Sequence, residues 1–335
     1  MMQSKEMFDG TTDAASAQMT ERKRRFFLAD FFIRLVREKP LATVGAVIVL
    51  VLLITAVFAP FLAPDGFNET NAYARLQPPL TERADQPGRY WMGTDNVGRD
   101  IFSRIIWGAQ ISVQVGLYAT LLSVAVSVLI GVTSGFIGGR FDMIVQRFVD
   151  GWMCFPGIVV LIVGVTILSP SMWTIIILLS LGGIGGSRAV RGPVIGIKEN
   201  MYVQAAIATG APTRWVLLRH ILPNIMAPLI IIFTTRMPGM ILAEAGISFL
   251  GLGIAPPAPS WGGMLSGPGM TYMYRAPWMA IWPGVALSVV VYGISVFGDG
   301  VRDILDPRLR GGLGRYAVAP KKIKKARNGS AGEAA

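Results

Sequence analysis

Few residues in this chain could do chemistry by themselves. It has one histidine, His220, and one cysteine, Cys154, in different segments, so they form neither a metal-ligand set nor a nucleophile and base. The glycine-rich stretch at 182–186 lacks the Lys-Ser/Thr that a phosphate loop requires. What remains is charge in apolar surroundings. Arg236 lies 11 residues into an otherwise apolar run, about 17 Å along a helix. A charge at that depth costs about 2.5–3.5 kcal/mol on insertion scales, so it must face protein or a wet path. Two readings follow: attraction of a substrate carboxylate, or an ion pair with a carboxylate on a partner subunit. Glu244 is eight residues further on and rotated about 80° from Arg236, so the two need not touch.

Those charges need a bundle of apolar helices around them. The 335 residues are 52% hydrophobic and 15% charged, with mean hydropathy +0.52, which argues against a soluble protein. A bilayer span takes about 20 apolar residues. The stretches 41–64, 111–139 and 276–298 are uncharged, 152–187 is uncharged but split by Ser169-Pro170-Ser171, and 225–243 is apolar except for Arg236. The expected fold is therefore all-α and polytopic, with six transmembrane helices and both termini on one side. The third span is expected to start near Met143, with Asp150 and Pro156 near its inner end, and the glycines at 182–186 weaken the fourth near its exit.

Bases choose the side. Arg22 to Arg25 with Arg34, Arg37 and Lys39, then Arg140 and Arg147, then Arg188, Arg191, Lys198, Arg214 and Arg219, all fall on one face. The tail from Arg302 adds nine Lys/Arg against three acids. The positive-inside rule makes this face cytoplasmic. Net charge +11 then reads as attraction to anionic lipid rather than to nucleic acid. The lone cysteine excludes an intramolecular disulfide, and its place in the third span suggests packing. The polar stretch before the first apolar run argues against a cleaved signal peptide.

The chain divides accordingly. Residues 1–40 are a cytoplasmic segment, disordered to about 20 and then an interfacial amphipathic helix that Pro40 ends. Residues 41–64 are the first span and 65–110 an outer loop with at most short helices. Residues 111–310 hold five helices, with a basic inner loop near 191–224, and 311–335 form a basic, disordered tail. In the inner loop, Ala205, Ala206, Ala208 and Gly210 predict a short, thin helix and a turn. Arg214, Trp215 and Leu218 restart a helix that Pro223 ends. A helical bundle has no folding need for such a projection, whereas a cytoplasmic partner gripping it does. In the outer segment, Gly93, Asp95 and Gly98 give turn chemistry and Asp100 can cap the second span.

Four stretches in this order resemble the permeases of peptide and nickel ABC importers. Met92 to Ser112 is similar to their GTD-x-x-GRD-x-x-SR-x-x-x-GA signature, carried here by Gly93, Thr94, Asp95, Gly98, Arg99 and Asp100. The loop Gln204-Ala205-Ala206, Gly210 and Leu222-Pro223 resembles their EAA loop. Ile247 to Leu265, with Ser260 and Trp261, resembles the SFLGLG-x-x-PP-x-PSWG block, and Val296 to Arg310 the FGD-x-x-RD-x-x-DPR ending. Two residues depart from the loop pattern. Gln204 replaces the usual acid, which removes an ion pair from that position, and His220 stands where an aliphatic residue is common.

The resemblance implies a type I ABC importer permease. Gln204, Ala205, Ala206, Gly210 and Arg214 would contact an ATPase subunit, and the 92–112 and 247–265 blocks would gate or dock on the outer face. Trp107 and Trp261 would suit that interface, and Glu244 would hold the outer gate. Partners would be a second homologous permease, two ATPase subunits, an extracytoplasmic substrate-binding protein and the lipid bilayer of the bacterial inner membrane. No cofactor or metal would bind this chain; ATP and Mg would be used by the ATPases, so the chain is not itself an enzyme. Di- and oligopeptides are the expected cargo, with nickel chelates or small glycosides as the alternative. An ion-driven secondary transporter would need paired midplane acids and internal repeats, and neither is evident. A scaffold without transport would leave the inner loop unexplained.

Overall fold

The computed structural model describes residues 27–84 and 87–305, with side chains from residue 32 onward. The expectations for residues 1–20, for the bases at 22–25, for the Phe26, Phe27 and Phe31 side chains and for the stretch from 306 lie outside the described residues.

Helix α1 (Phe27–Glu38) and helix α2 (Pro40–Val57) are separated at Lys39. Pro40 sits in the first turn of α2, where its missing N–H had no partner to lose. Leu41, Val44, Val47, Leu50, Val51 and Val57 of α2 are exposed, a face that suits hydrocarbon. Helix α3 (Ile101–Ile137) has 37 residues and is about 55 Å long, well beyond a bilayer core of about 30 Å. Asp100 caps it, its Oδ2 accepting from the Ser103 amide at 2.9 Å. The region before it, from residue 65, is a loop with a 3₁₀ turn at Ala72–Ala74, as expected. It also holds a two-residue antiparallel pair, β1 (Thr81–Glu82) with β2 (Arg89–Tyr90), which has no signature in so polar a stretch.

The third and fourth spans differ from expectation. Helix α4 (Gly139–Met153) stops before Pro156, and helix α5 (Gly157–Leu168) leaves at 79° to it. Proline cannot donate to the preceding turn and disfavours helical geometry in the residue before it, so the chain breaks there. Cys154 lies at this bend and is exposed, not packed. Helix α6 (Met172–Ser180), capped by Ser171, meets helix α7 (Gly183–Lys198) at 41° across Leu181 and Gly182. Helices α8 (Met201–Ala208), α9 (Met226–Phe249), α10 (Trp261–Leu265) and α11 (Trp278–Leu305) complete the main elements. Among the described residues, four helices, α2, α3, α9 and α11, are long and apolar enough to cross a membrane, and up to six crossings result if each bent pair is one span. This is a helical integral membrane protein.

Helix α3 is the axis of the packing, lying against α2, α6, α7 and α9. Its contact with α7 is close because glycines face it: a methyl on Gly131 would sit 2.6 Å from the Ser187 carbonyl oxygen. The Ser127 hydroxyl donates across this contact to the Gly183 carbonyl at 2.7 Å, satisfying a polar group that lipid could not. The two ends of α3 carry different structures. At its start, Ser103 Oγ accepts from the Asp65 amide and the Ile105 carbonyl accepts from the Trp261 indole, so the outer-loop blocks gather there. At its finish, the Lys198 ammonium lies over the Phe136 ring, and the 199–224 loop follows. Lys39 of α1–α2 pairs with Asp303 of α11 at 2.6 Å, and Ala59–Leu62 beyond α2 packs on α3 near its start.

Candidate functional site

The 199–224 loop is a short helix held up by a buried root. Val203, Val216, Ile221 and Ile225 are fully buried in one cluster with Val132, Val190 and Val194 of α3 and α7. On that root, Gln204, Ala205, Gly210 and Arg214 are exposed and Ala206 is half-buried. The Gln204 amide turns back to donate to the Lys198 carbonyl at 2.8 Å, tying α8 to the end of α7. Helix α8 closes by a double hydrogen bond: Gly210 N–H donates to Ile207 at 3.0 Å and Ala211 N–H to Ala206 at 3.1 Å. This closure places residue 210 in the left-handed region, and Gly210 has φ +80°. A Cβ there would meet no atom within 4 Å, so the demand for glycine is conformational and not steric.

The chain then restarts helix at Thr213–Val216 and continues through a π turn at Leu217–Ile221. Pro223 does not end this helix, as the sequence suggested. It sits in the first turn of the next short segment, Leu222–Asn224, where a proline is tolerated. His220 is half-buried among aromatic rings, 4.8 Å from Trp215 and 5.8 Å from Tyr202 between centroids. Around it Met201, Tyr202, Ile207, Trp215 and Leu218 are exposed, with Arg214 and Arg219 lining a shallow groove beside Trp215. The site is an apolar knob with a basic rim.

At the other end of α3, the Met92–Asp100 turn is closed by its own polar groups. Thr94 is fully buried; its hydroxyl donates to the Ala74 carbonyl and accepts from the Gln77 amide at 2.8 Å. Asp95 accepts from the Val97 and Arg99 amides at 2.9 Å and from Arg99 Nε at 2.6 Å. Gly93 accommodates the Trp278 indole, and Gly98, with φ +82°, faces the Asn71 backbone. Burial pushes the Asp100 carboxyl above the usual range, opposed by the Ser103 hydrogen bonds and by Arg83. Ser260 and Trp261 are not on the surface. Trp261 is only 2% exposed, filling the space left by Gly108 and donating to Ile105 O at 3.1 Å. The suggestion that Trp261 faces a docking partner fails on this burial. Trp107 likewise spends its indole N–H on the Asp65 carbonyl.

Arg236 and Glu244 lie apart, as the helical rotation implies. Arg236 Nη1 donates to the hydroxyls of Ser123 at 3.0 Å and Ser127 at 3.4 Å on α3, and the guanidinium lies against Gly186 of α7. It forms no ion pair among the described residues. Glu244 is buried, its carboxylate accepting from Ser248 Oγ at 2.6 Å and sharing a hydrogen bond with Ser260, which ties the C-terminal end of α9 to α10. Among the described residues no three His, Cys, Asp or Glu side chains gather as a metal site.

Residues 127–311 match the family described as binding-protein-dependent transport system inner membrane component, and residues 27–79 match the N-terminal TM domain of oligopeptide transport permease C. The chain belongs to this permease family. It is 38% identical to the dipeptide transport system permease protein DppC of Alkalihalophilus pseudofirmus, over 82% of this chain and 88% of that protein. It is 36% identical to the oligopeptide transport system permease protein OppC of Bacillus subtilis, over 91% of this chain and 98% of that protein. The glutathione transport system permease protein GsiD of Escherichia coli is 35% identical over 84% of this chain and 90% of its own length. The solved MetNI methionine ABC transporter aligns at TM-score 0.44 and 16% identity, over 61% of this chain and 96% of that one, too slight a likeness to argue from.

In this permease the sequence pointed to each stretch but not to the contacts within it. The Ser123–Ser127 pair, spaced one turn apart in an apolar helix, was a legible sign of an inward polar partner. Gly186, whose missing side chain makes room for Arg236, gave no sign. Arg236 therefore bonds α9 to α3 and packs against α7 within one chain, contacts that neither carboxylate reading requires. Arg236→Ala is expected to destabilise the purified permease by about 1.5–3 kcal/mol, the value of hydrogen bonds to a charged group. A lowered thermal midpoint, together with uptake reduced alike for charged and neutral cargo, would fit a fastener. Loss confined to cargo with a free carboxylate would instead assign Arg236 to the path.

Proposed function

We propose that this permease is one of two related transmembrane subunits of an ATP-driven importer of di- and oligopeptides in the bacterial inner membrane. Six crossings, counting each bent pair as one, would leave both termini on one side, taken here as cytoplasmic, in a type I arrangement. Lys39, Arg188, Arg191, Lys198, Arg214 and Arg219 would then face the cytoplasm, where the positive-inside rule wants them. The observation that carries the reading is the exposed α8 knob, closed by a left-handed glycine and rooted in the contact between α3 and α7. Two ATPase subunits, which bind ATP and Mg, grip this knob and its counterpart on the second permease. Their closure moves α7 against α3 and turns the cavity outward, toward a substrate-binding protein. The ligand's work is differential affinity for two states, with no bond made or broken here. Peptide cargo is carried over from relatives named for dipeptide, oligopeptide and glutathione transport.

Orientation has a direct test. In a Cys154→Ser background, Asn96→Cys should label with an impermeant thiol reagent added outside intact cells, and Ala205→Cys only after permeabilisation. The reverse pattern would invert the topology. Ser260, which is buried, is not a usable labelling site. Purification through this chain should bring nucleotide-hydrolysing subunits with it, and Ala205→Cys should cross-link to one of them. Absence of both would remove the importer reading.

A further inference from the structure

Beneath the outer block lies a cavity of about 110 Å³, between the Met92–Asp100 turn and the 254–268 segment. Asp95, Asn96, Arg99, Arg104 and Ser260 supply its polar lining. Arg104 is only 7% exposed. Its Nη1 donates to the Phe67 carbonyl at 2.9 Å and, weakly, to that of Pro257 at 3.4 Å. Nε and Nη2, the side-on fork of the guanidinium, have no partner among the described residues.

Arg104 has no carboxylate partner among the described residues. The ionised groups acting on Arg104 are Arg99 and Asp95. Asp95 is already committed to Arg99 Nε and to two backbone amides. Asp65 and Asp100 pair with Arg83, and Glu244 lies behind Ser260, bonded to hydroxyls. At the rim, Arg75 adds another cation, its Nε donating to the Asn96 carbonyl at 2.7 Å. Arg104 is thus a buried guanidinium without an ion pair among the described residues, lining a half-open cavity. A buried charge is costly unless it is paired and its donors are met. The Asn96 side-chain oxygen is also buried without a partner.

We propose that this cavity is an anion site that takes a carboxylate on the Nε–Nη2 fork of Arg104. A carboxylate matches that fork with two parallel hydrogen bonds and supplies the ion pair that Arg104 lacks. The volume admits a group of acetate size and excludes a whole peptide. The occupant is thus a small free acid or the terminal carboxylate of a longer molecule. The proposal holds whatever the cargo of the importer is.

The test is the thermal midpoint of the detergent-purified importer complex, with acetate replacing methanesulfonate at constant ionic strength. A saturable rise of about 2–4 °C is expected in the wild type. Arg104→Gln should lose it. Asn96→Asp, at a partly exposed rim position, should lose it too by placing a carboxylate inside the site, which keeps the test alive if Arg104→Gln does not fold. A rise with dialanine but not with acetate or dialaninamide would support the site and assign it to a peptide terminus. No rise with either acid, or an equal rise in Asn96→Asp, would overturn the proposal.

Discussion

Replacing Gly210 with valine is expected to cut ATP-driven uptake at least tenfold while leaving the permease inserted and assembled. Residue 210 has φ +80° and closes α8 through the paired bonds to Ile207 and Ala206. A side chain in left-handed geometry costs about 1–2 kcal/mol, and β-branching makes it worse. Every 1.4 kcal/mol is about a factor of ten in an equilibrium. Space around the position is open, so the strain is relieved by unwinding the end of α8, not by disturbing the core. Asparagine tolerates this geometry, and Gly210→Asn should keep most of the transport; Gly210→Ala should fall between. Uptake in proteoliposomes, set against the amount of chain in the membrane, reads the series. Valine transporting as well as glycine would show that the shape of this helix end does not matter.

Truncating Trp261 is the change expected to cost the fold most. Its indole projects from α10 against α3, beside Gly108 and among Leu52, Ala109, Ile241 and Ile294. Removing a buried tryptophan costs about 3–5 kcal/mol, and here it also leaves the bond to the Ile105 carbonyl unmade. Gly108→Val should act from the other side of the same contact, because its Cβ would lie 2.8 Å from the indole. Both variants should show a large drop in melting midpoint and yield. A Trp261→Ala permease with wild-type stability would contradict this packing.

The sequence made the spans legible where apolar runs were long and unbroken. α2, α3, α9 and α11 follow from hydropathy alone, and Asp100 announced the start of α3. The bent pairs were harder to read. The uncharged run from 152 to 187 covers the whole of only α5 and α6, while α4 and α7 carry charges such as Arg147 and Arg191 and read as loops, so only Pro156 and the Gly182-Gly183 pair marked where direction changes. The inner loop was read correctly as a short helix and turn, but Pro223 misled, because a proline that ends one helix can equally begin another. Trp261 misled in the opposite way. An aromatic residue in a Pro/Gly-rich outer block resembles an interface residue until its partner, Gly108, is seen 153 positions earlier in the chain. Arg236 was recognised as inward-facing from the cost of burying its charge. Its serine and glycine partners lie on two other helices, and only packing could name them.

On the proposed function, this permease carries cargo because separate ATPase subunits pull on its 199–224 loop. Uptake into proteoliposomes holding the complete complex tests it most directly. With the substrate-binding protein supplied outside and ATP within, a labelled dipeptide should accumulate. Accumulation should stop with a non-hydrolysable nucleotide and survive the collapse of proton and sodium gradients. Accumulation without ATP, abolished when the gradients are collapsed, would contradict the account and make the protein an ion-driven transporter.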